Sequence, residues 1–346
     1  MQPLIPSIVI ALLIYRAYTR QQLTIPGILA ATVTATIHAL HPCPLPFALL
    51  CTFFLLGTTA TKVKKDIKAS LTLSASSGTA GEGPRTHVQV LANSACASAC
   101  VLAHIWQEQR QGSVGPLGPK RQVKDVPGPL SSITPSAILL VGVIANYAAV
   151  TADTLSSELG ILSSAPPRLI TTFQPVPKGT NGGVTLAGLA AGSAGAFVIG
   201  VVSAGMTWAF CLPGATAPDT VDLAWFVLAV TLVGTLGTLL DSLLGAILQA
   251  SVVDSRTGKV VEGVGGARVL VHGGSSSSGG RGGGPPEKDK TAVRARKGSR
   301  AIATGRDILD NNQINLAMAA CTTLTAMAAA CAVWSVPPSS LLYPAR

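Results

Sequence analysis

Residues 225–249 read WFVLAVTLVGTLGTLLDSLLGAILQ. Their single ionisable side chain is Asp241. A helix of that length would run roughly 37 Å, more than the ~30 Å hydrocarbon core of a bilayer. The segment therefore reads as a membrane span. Gly234, Gly237, Thr238, Asp241, Gly245 and Gln249 recur at helical spacing and form one small, polar stripe. Small residues let helices approach closely in lipid. A carboxylate at membrane depth is costly and tends to be functional, although a helix contact with one hydrogen-bonded carboxylate would also produce this stripe.

The rest of the chain has the same character. Of 346 residues, 48% are hydrophobic and 12% charged, with mean hydropathy +0.48. Soluble domains carry about a quarter charged residues. Further apolar segments lie at 3–17, 26–41, 44–60, 87–106, 135–152, 184–210 and 314–335, and 222–249 contains the stretch above. The expected fold is an all-α polytopic transmembrane bundle of about eight spans, with residues 1–346 as a single membrane domain. No basic stretch precedes the first span, which predicts an uncleaved helix rather than a signal peptide. No internal repeat is evident.

Twenty of the 25 Lys and Arg fall in the odd-numbered connections between spans and four in the even ones. The positive-inside rule then places 62–86, 153–183 and 250–312 in the cytosol. This distribution also explains the net charge of +10 without nucleic acid, since no aromatic platform accompanies the basic residues. Residues 272–300 are rich in Gly, Ser and Arg and predict a disordered insertion. The seven cysteines form no CxxC and read as small buried hydrophobes, with no zinc site.

Four polar clusters accompany Asp241. In ANYAAVTADTLSSELG (145–160), Asp153 and Glu158 lie near the cytosolic end, where carboxylates suit Mg²⁺ shared with substrate phosphates. In PKGTNGGVT (177–185), Lys178 precedes a glycine turn, so this is no Walker A loop. The amides of Thr180, Asn181, Gly182 and Gly183 could still form an anion-binding concavity, with Gly179 giving the turn its freedom. A tight turn entering a span would look the same. Arg85, Gln89 and Asn93 repeat every four residues at the start of a span. Asp310, Asn311 and Asn312 stand at the head of the last one, where Asp310 suits a helix cap. All these residues map to one membrane face, as a site for a phosphorylated ligand would require.

The blocks RTHVQVLANS, ADTLSSELG, PKGTNGGVT, GTLLDSLLGAILQ and LDNNQINL, in this order, resemble the integral-membrane family containing animal transmembrane protein 19 and plant phytyl-phosphate kinase. The resemblance implies phosphorylation of a prenyl (isoprenoid) monophosphate to the diphosphate, with CTP as donor. It marks the positions already named, together with Gln249. On this reading Asp153, Glu158 and Asp310 hold Mg²⁺, while Arg85, Lys178 and the Thr180–Gly183 amides neutralise phosphate. Gln89, Asn93, Gly179, Asn311 and Asn312 complete the substrate site, and Asp241 ligates metal or orients a reactant. The expected partners are membrane lipid, isoprenoid phosphate and nucleotide. The expected location is an endomembrane such as the endoplasmic reticulum. The chain opens on a hydrophobic span with no resemblance to a chloroplast transit peptide, so phytol is not the expected acceptor. A transporter or a structural multi-pass membrane protein is the competing reading. A transporter would place its polar groups near the midplane with access from both sides.

Overall fold

The structure is a computed structural model that describes residues 4–75, 83–110, 114–115, 118–119, 135–211, 219–269 and 300–341. The expected insertion at 272–300, apart from its last residue Arg300, and most of the 107–134 connection lie outside the described residues. The helices are α1 (Leu4–Thr19), α2 (Ile25–Ala39), α3 (Leu45–Lys62), α4 (Lys65–Leu71) and α5 (His87–Arg110). They continue as α6 (Pro135–Gly160), α7 (Leu186–Met206), α8 (Thr220–Leu248) and α9 (Asn311–Val333). Six of them (α3, α5, α6, α7, α8 and α9) are long and apolar enough to cross a membrane. The expected eight spans are thus six of full length, plus α1 and α2, which are apolar but have only 16 and 15 residues.

Local chemistry sets the helix starts. The Thr24 side chain accepts from Gly27 N to begin α2, and Thr185 does the same for Gly188 N at α7. Asp219 caps α8. Asp310 and Gln313 form a reciprocal capping box at α9, satisfying two otherwise orphan amides.

The α6 helix is the axis of the bundle. Residues 142–152 are buried without a break, and α3, α5, α7, α8 and α9 pack around them. A helix that is apolar all round belongs in such a position. Its neighbours approach through glycine. A Cβ added to Gly192 of α7 would lie 2.8 Å from Ala152 O, and one on Gly234 of α8 would lie 2.8 Å from Ala148 O. The small stripe on α8 therefore faces α6, as its spacing predicts.

The four odd connections meet at one end of the bundle. Leu23 bridges to Arg85, tying the α1–α2 turn to the chain before α5. Asn181 N donates to Ser251 Oγ at 2.9 Å, tying the α6–α7 connection to the chain after α8. A four-stranded sheet, absent from the all-α expectation, also sits here. Its strands are β1 (Leu73–Ser74), β6 (Ser251–Asp254), β7 (Val260–Glu262) and β8 (Arg300–Thr304), in the order β1–β7–β6–β8. Two-residue pairs β2 (Val114–Gly115) with β3 (Gly118–Pro119), and β4 (Arg168–Leu169) with β5 (Gly183–Val184), complete the strands. In the sheet Val261 is shared, pairing with Leu73 in parallel and with Val252 antiparallel. At the opposite end Cys43, between α2 and α3, is disulfide-bonded to Cys211 beyond α7. Those two cysteines are a crosslink, not the free apolar thiols expected of them.

Candidate functional site

The odd-connection end holds a polar cavity of about 390 Å³, walled by α3, α4, α5, α6, α8, α9, the glycine turn before α7 and the sheet. Arg85, Gln89, Asn93, Asp153, Glu158, the run from Lys178 to Gly183, Asp241, Gln249, Asp310 and Asn311 all line it. Residues more than 200 positions apart are thus brought together. Asn312 alone of the expected set points elsewhere. It is buried, and its Nδ2 donates to Gly265 O at 2.9 Å, which fixes the loop beyond β7.

Asp153 and Asp241 lie at the centre. Each stands seven residues before the end of its helix, roughly 10 Å in from that end. Both are half-buried. Thr238 Oγ1 donates to Asp153 Oδ1 at 3.3 Å. With its amide nitrogen turned to the carboxylate, Asn315 Nδ2 stands 3.2 Å from Asp241 Oδ2 and 3.0 Å from Asn311 O. Among the described residues neither aspartate has an ion-pair partner. Two facing carboxylates without a countercharge are costly unless a cation joins them.

Glu158 is in a different condition. Lys68 Nζ binds its Oε2, Thr61 Oγ1 donates to its Oε1 at 2.9 Å, and Arg85 Nη2 lies 3.9 Å away. Arg85 Nη2 also donates to Thr61 Oγ1 at 3.0 Å. Glu158 is therefore a clamp for two cations, and Asp310 is a helix cap. The expected trio Asp153, Glu158 and Asp310 does not assemble. Among the described residues no group of three or more His, Cys, Asp or Glu could hold a metal ion. The pair Asp153 and Asp241 fits Mg²⁺ better, because that ion often takes one or two carboxylates and completes its shell with water and phosphate.

The glycine turn is mostly committed to its own structure. Thr180 N donates to Pro177 O, Asn181 N to Ser251 Oγ and Gly183 N to Thr180 O. Three of the four amides expected to cradle phosphate thus have other acceptors. Gly179 and Gly182 adopt positive φ, 84° and 76°. A Cβ on Gly182 would lie 2.6 Å from Ser242 O, so the turn needs glycine to rest on α8. Lys178 Nζ donates to Ser163 O at 2.7 Å. Gln89 Oε1 caps Thr86 N at 2.8 Å, and Asn93 Nδ2 donates to Gln89 O.

Sequence reading gives Lys65, Lys68 and Thr61 no place in the site, while Asn315 belongs to the polar cluster at the head of the last span. Lys68 was visible only as one of a run of loop lysines. Asn315 shares a helix face with Asn311, a signal that the i, i+4 spacing carries.

These features define a polytopic helical membrane protein with a polar cavity at one end of its bundle. The chain belongs to the integral membrane protein family DUF92, which it matches over residues 8–323. Protein PGR of Arabidopsis thaliana is 37% identical over 261 residues, 73% of this chain and 81% of PGR. An uncharacterized membrane protein of Methanocaldococcus jannaschii is 46% identical over 110 residues, 32% of this chain and 40% of its own. Protein VTE6, chloroplastic, of A. thaliana is 28% identical over 227 residues, 66% of this chain and 56% of its own. No solved structure matches the chain. Multi-pass membrane residence stands, whereas the expected endoplasmic reticulum gains no support, VTE6 being named chloroplastic.

Proposed function

We propose that the protein is a membrane phosphotransferase that converts a prenyl or other lipid monophosphate to the diphosphate, with a nucleoside triphosphate such as CTP as donor. The observation that carries this reading is that Asp153 and Asp241, which have no ion-pair partner among the described residues, line a cavity rimmed by Arg85, Lys65 and Lys178. Phosphoryl transfer asks little covalent chemistry of a protein and depends on positioning and charge. The acceptor's phosphate oxygen would attack the γ-phosphorus. The bond from that phosphorus to the β–γ bridging oxygen would break, releasing the nucleoside diphosphate. Asp153 and Asp241 would hold Mg²⁺, which supplies charge screening between the two phosphates. Arg85 would meet phosphate oxygens, held in place by Glu158 and Thr61.

The resemblance to plant phytyl-phosphate kinase supports the same reading. A transport path would favour polar groups at mid-depth and access from both sides. Here the carboxylates belong to a cavity at the end with the basic connections, while the Cys43–Cys211 bond and a buried His41–His104 contact of 3.1 Å lie at the other end. The test is to reconstitute the purified protein with a panel of prenyl monophosphates, Mg²⁺ and labelled CTP or ATP. Labelled prenyl diphosphate is the expected product. No product with any acceptor, from protein that binds nucleotide, would remove the proposal.

A further inference from the structure

A second cavity, also about 390 Å³, lies between α1, α2, α3 and α5. Its walls are apolar, with Leu13 and Ile14 from α1, Ile28 from α2, Leu50 and Phe53 from α3, and Val90 from α5. The hydroxyls that line it are turned away from any guest. Thr32 Oγ1 donates to Ile28 O, Thr58 Oγ1 to Leu55 O, and Thr34 and Ser94 pair with each other at 3.4 Å. Charge appears only toward one end, as Arg20, Lys62, Lys65 and Arg85. That end is also where this chamber meets the polar cavity. Thr61, Lys65, Arg85, Gln89 and Asn93 line both.

Two further observations define what the chamber would take. Both amide atoms of Gln22 are buried in its wall and have no hydrogen-bond partner among the described residues. Gln22 neighbours the charged end, since its carbonyl accepts from Arg85 N at 3.0 Å. A buried amide without partners marks a place where a polar group is missing. The side wall is also lightly held. The α1 helix packs chiefly on α2 and turns Ile8, Leu12 and Tyr15 outward, as a lipid-facing helix does. A guest could enter sideways from the hydrocarbon layer.

We propose that this chamber holds the hydrocarbon chain of a single-tailed lipid monophosphate, whose phosphate lies at the Arg85–Lys65–Gln22 end, beside the polar cavity. The inference rests on reading that cavity as a phosphoryl-transfer site and names where its acceptor binds. A single chain is specified because the chamber is near the lower end of the ~300–1,000 Å³ range of ligand pockets. Two acyl chains would overfill that volume. An apolar interior with cations confined to its mouth complements an anionic head on an apolar tail.

The test uses the full-length protein in nanodiscs and a farnesyl monophosphate analogue carrying a diazirine on its terminal isoprene unit, without nucleotide. Crosslinks should map to α1, α2, α3 and α5. Unlabelled farnesyl monophosphate should compete, and farnesol should compete at least about tenfold less well, since it lacks the charge that meets Arg85. Filling the chamber with Ala31→Trp should lower labelling about tenfold, as an overpacked site loses its guest. Wild-type crosslinks confined to the outer faces of α7 and α8, or equal competition by farnesol, would overturn the proposal. The wild-type map decides this even if Ala31→Trp fails to assemble. Chamber labelling without diphosphate formation would remove the phosphotransferase reading and leave a lipid-phosphate site in place. Turnover that continues while the crosslinks lie elsewhere would do the reverse.

Discussion

The glycine turn at 178–183 and the carboxylate pair on α6 and α8 face the same cavity, yet they differ in what they have left to offer. The turn has the look of a phosphate loop. Its amides nonetheless bind Pro177 O, Ser251 Oγ and Thr180 O, and its lysine binds Ser163 O. The pair looks plainer in sequence, a lone aspartate toward the end of each of two apolar helices. Asp153 and Asp241 nevertheless keep oxygen atoms without a countercharge. A dense motif can be structural when its donors are already satisfied, and chemistry is available where polar groups remain unsatisfied.

The largest expected effect tests the pair. Asp153→Asn and Asp241→Asn should each lower turnover by about 10²–10³ or more, as loss of a group that stabilises transferring charge does. Melting in detergent should be unchanged or raised, because a neutral amide replaces a half-buried carboxyl that has no countercharge among the described residues. Wild-type rates in both variants would end the contrast between turn and pair. Next comes the turn. Gly182→Ala should cost about 2–4 kcal/mol through its positive φ and its collision with α8. The readout is yield and melting temperature, and a normally stable variant that has lost only activity would return the turn to the catalytic side. Glu158→Gln sharpens the boundary between clamp and site. It should cost about 1–2 kcal/mol of stability by uncovering Lys68, and it should weaken acceptor binding through Arg85 more than it slows transfer at saturation. The smallest effect belongs to Lys178→Ala. Losing one hydrogen bond to Ser163 O should cost about 1 kcal/mol and change turnover less than about tenfold. A larger loss of turnover at saturating substrate would show that Lys178 leaves Ser163 to meet phosphate.

Hydropathy alone located the long helices to within a few residues, except that α6 runs on to Gly160 beyond the apolar segment 135–152, because apolar length is a local property of the chain. The Gly234–Gly237–Thr238–Asp241 stripe was legible for the same reason, since helical spacing fixes which side chains share a face. Charge bias grouped the odd connections, and they do meet at one end. What sequence could not supply was pairing across distance. β1 joins β7 from nearly two hundred residues away, and its two-residue length leaves no alternation to detect. The Lys68–Glu158 pair and the Cys43–Cys211 bond are also long-range partnerships, with 90 and 168 positions between their members. Asn312 was misplaced because one residue turns a helix by about 100°, which sends it to Gly265 while Asn311 and Asn315 face the cavity.

The Cys43–Cys211 bond also divides the molecule mechanically. It makes a covalent ring of everything from α3 through α7, and leaves α1, α2, α8 and α9 as arms attached to it. Closing a loop of 168 positions restrains the unfolded chain by about 5 kcal/mol on a chain-entropy view. Asp153 rides on the ring and Asp241 on an arm, so the packing of α8 on α6 is what holds the two carboxylates together. Purification under reducing conditions would cut the ring at the end far from the cavity. A preparation handled that way should lose resilience in detergent first, and its catalytic groups only afterwards.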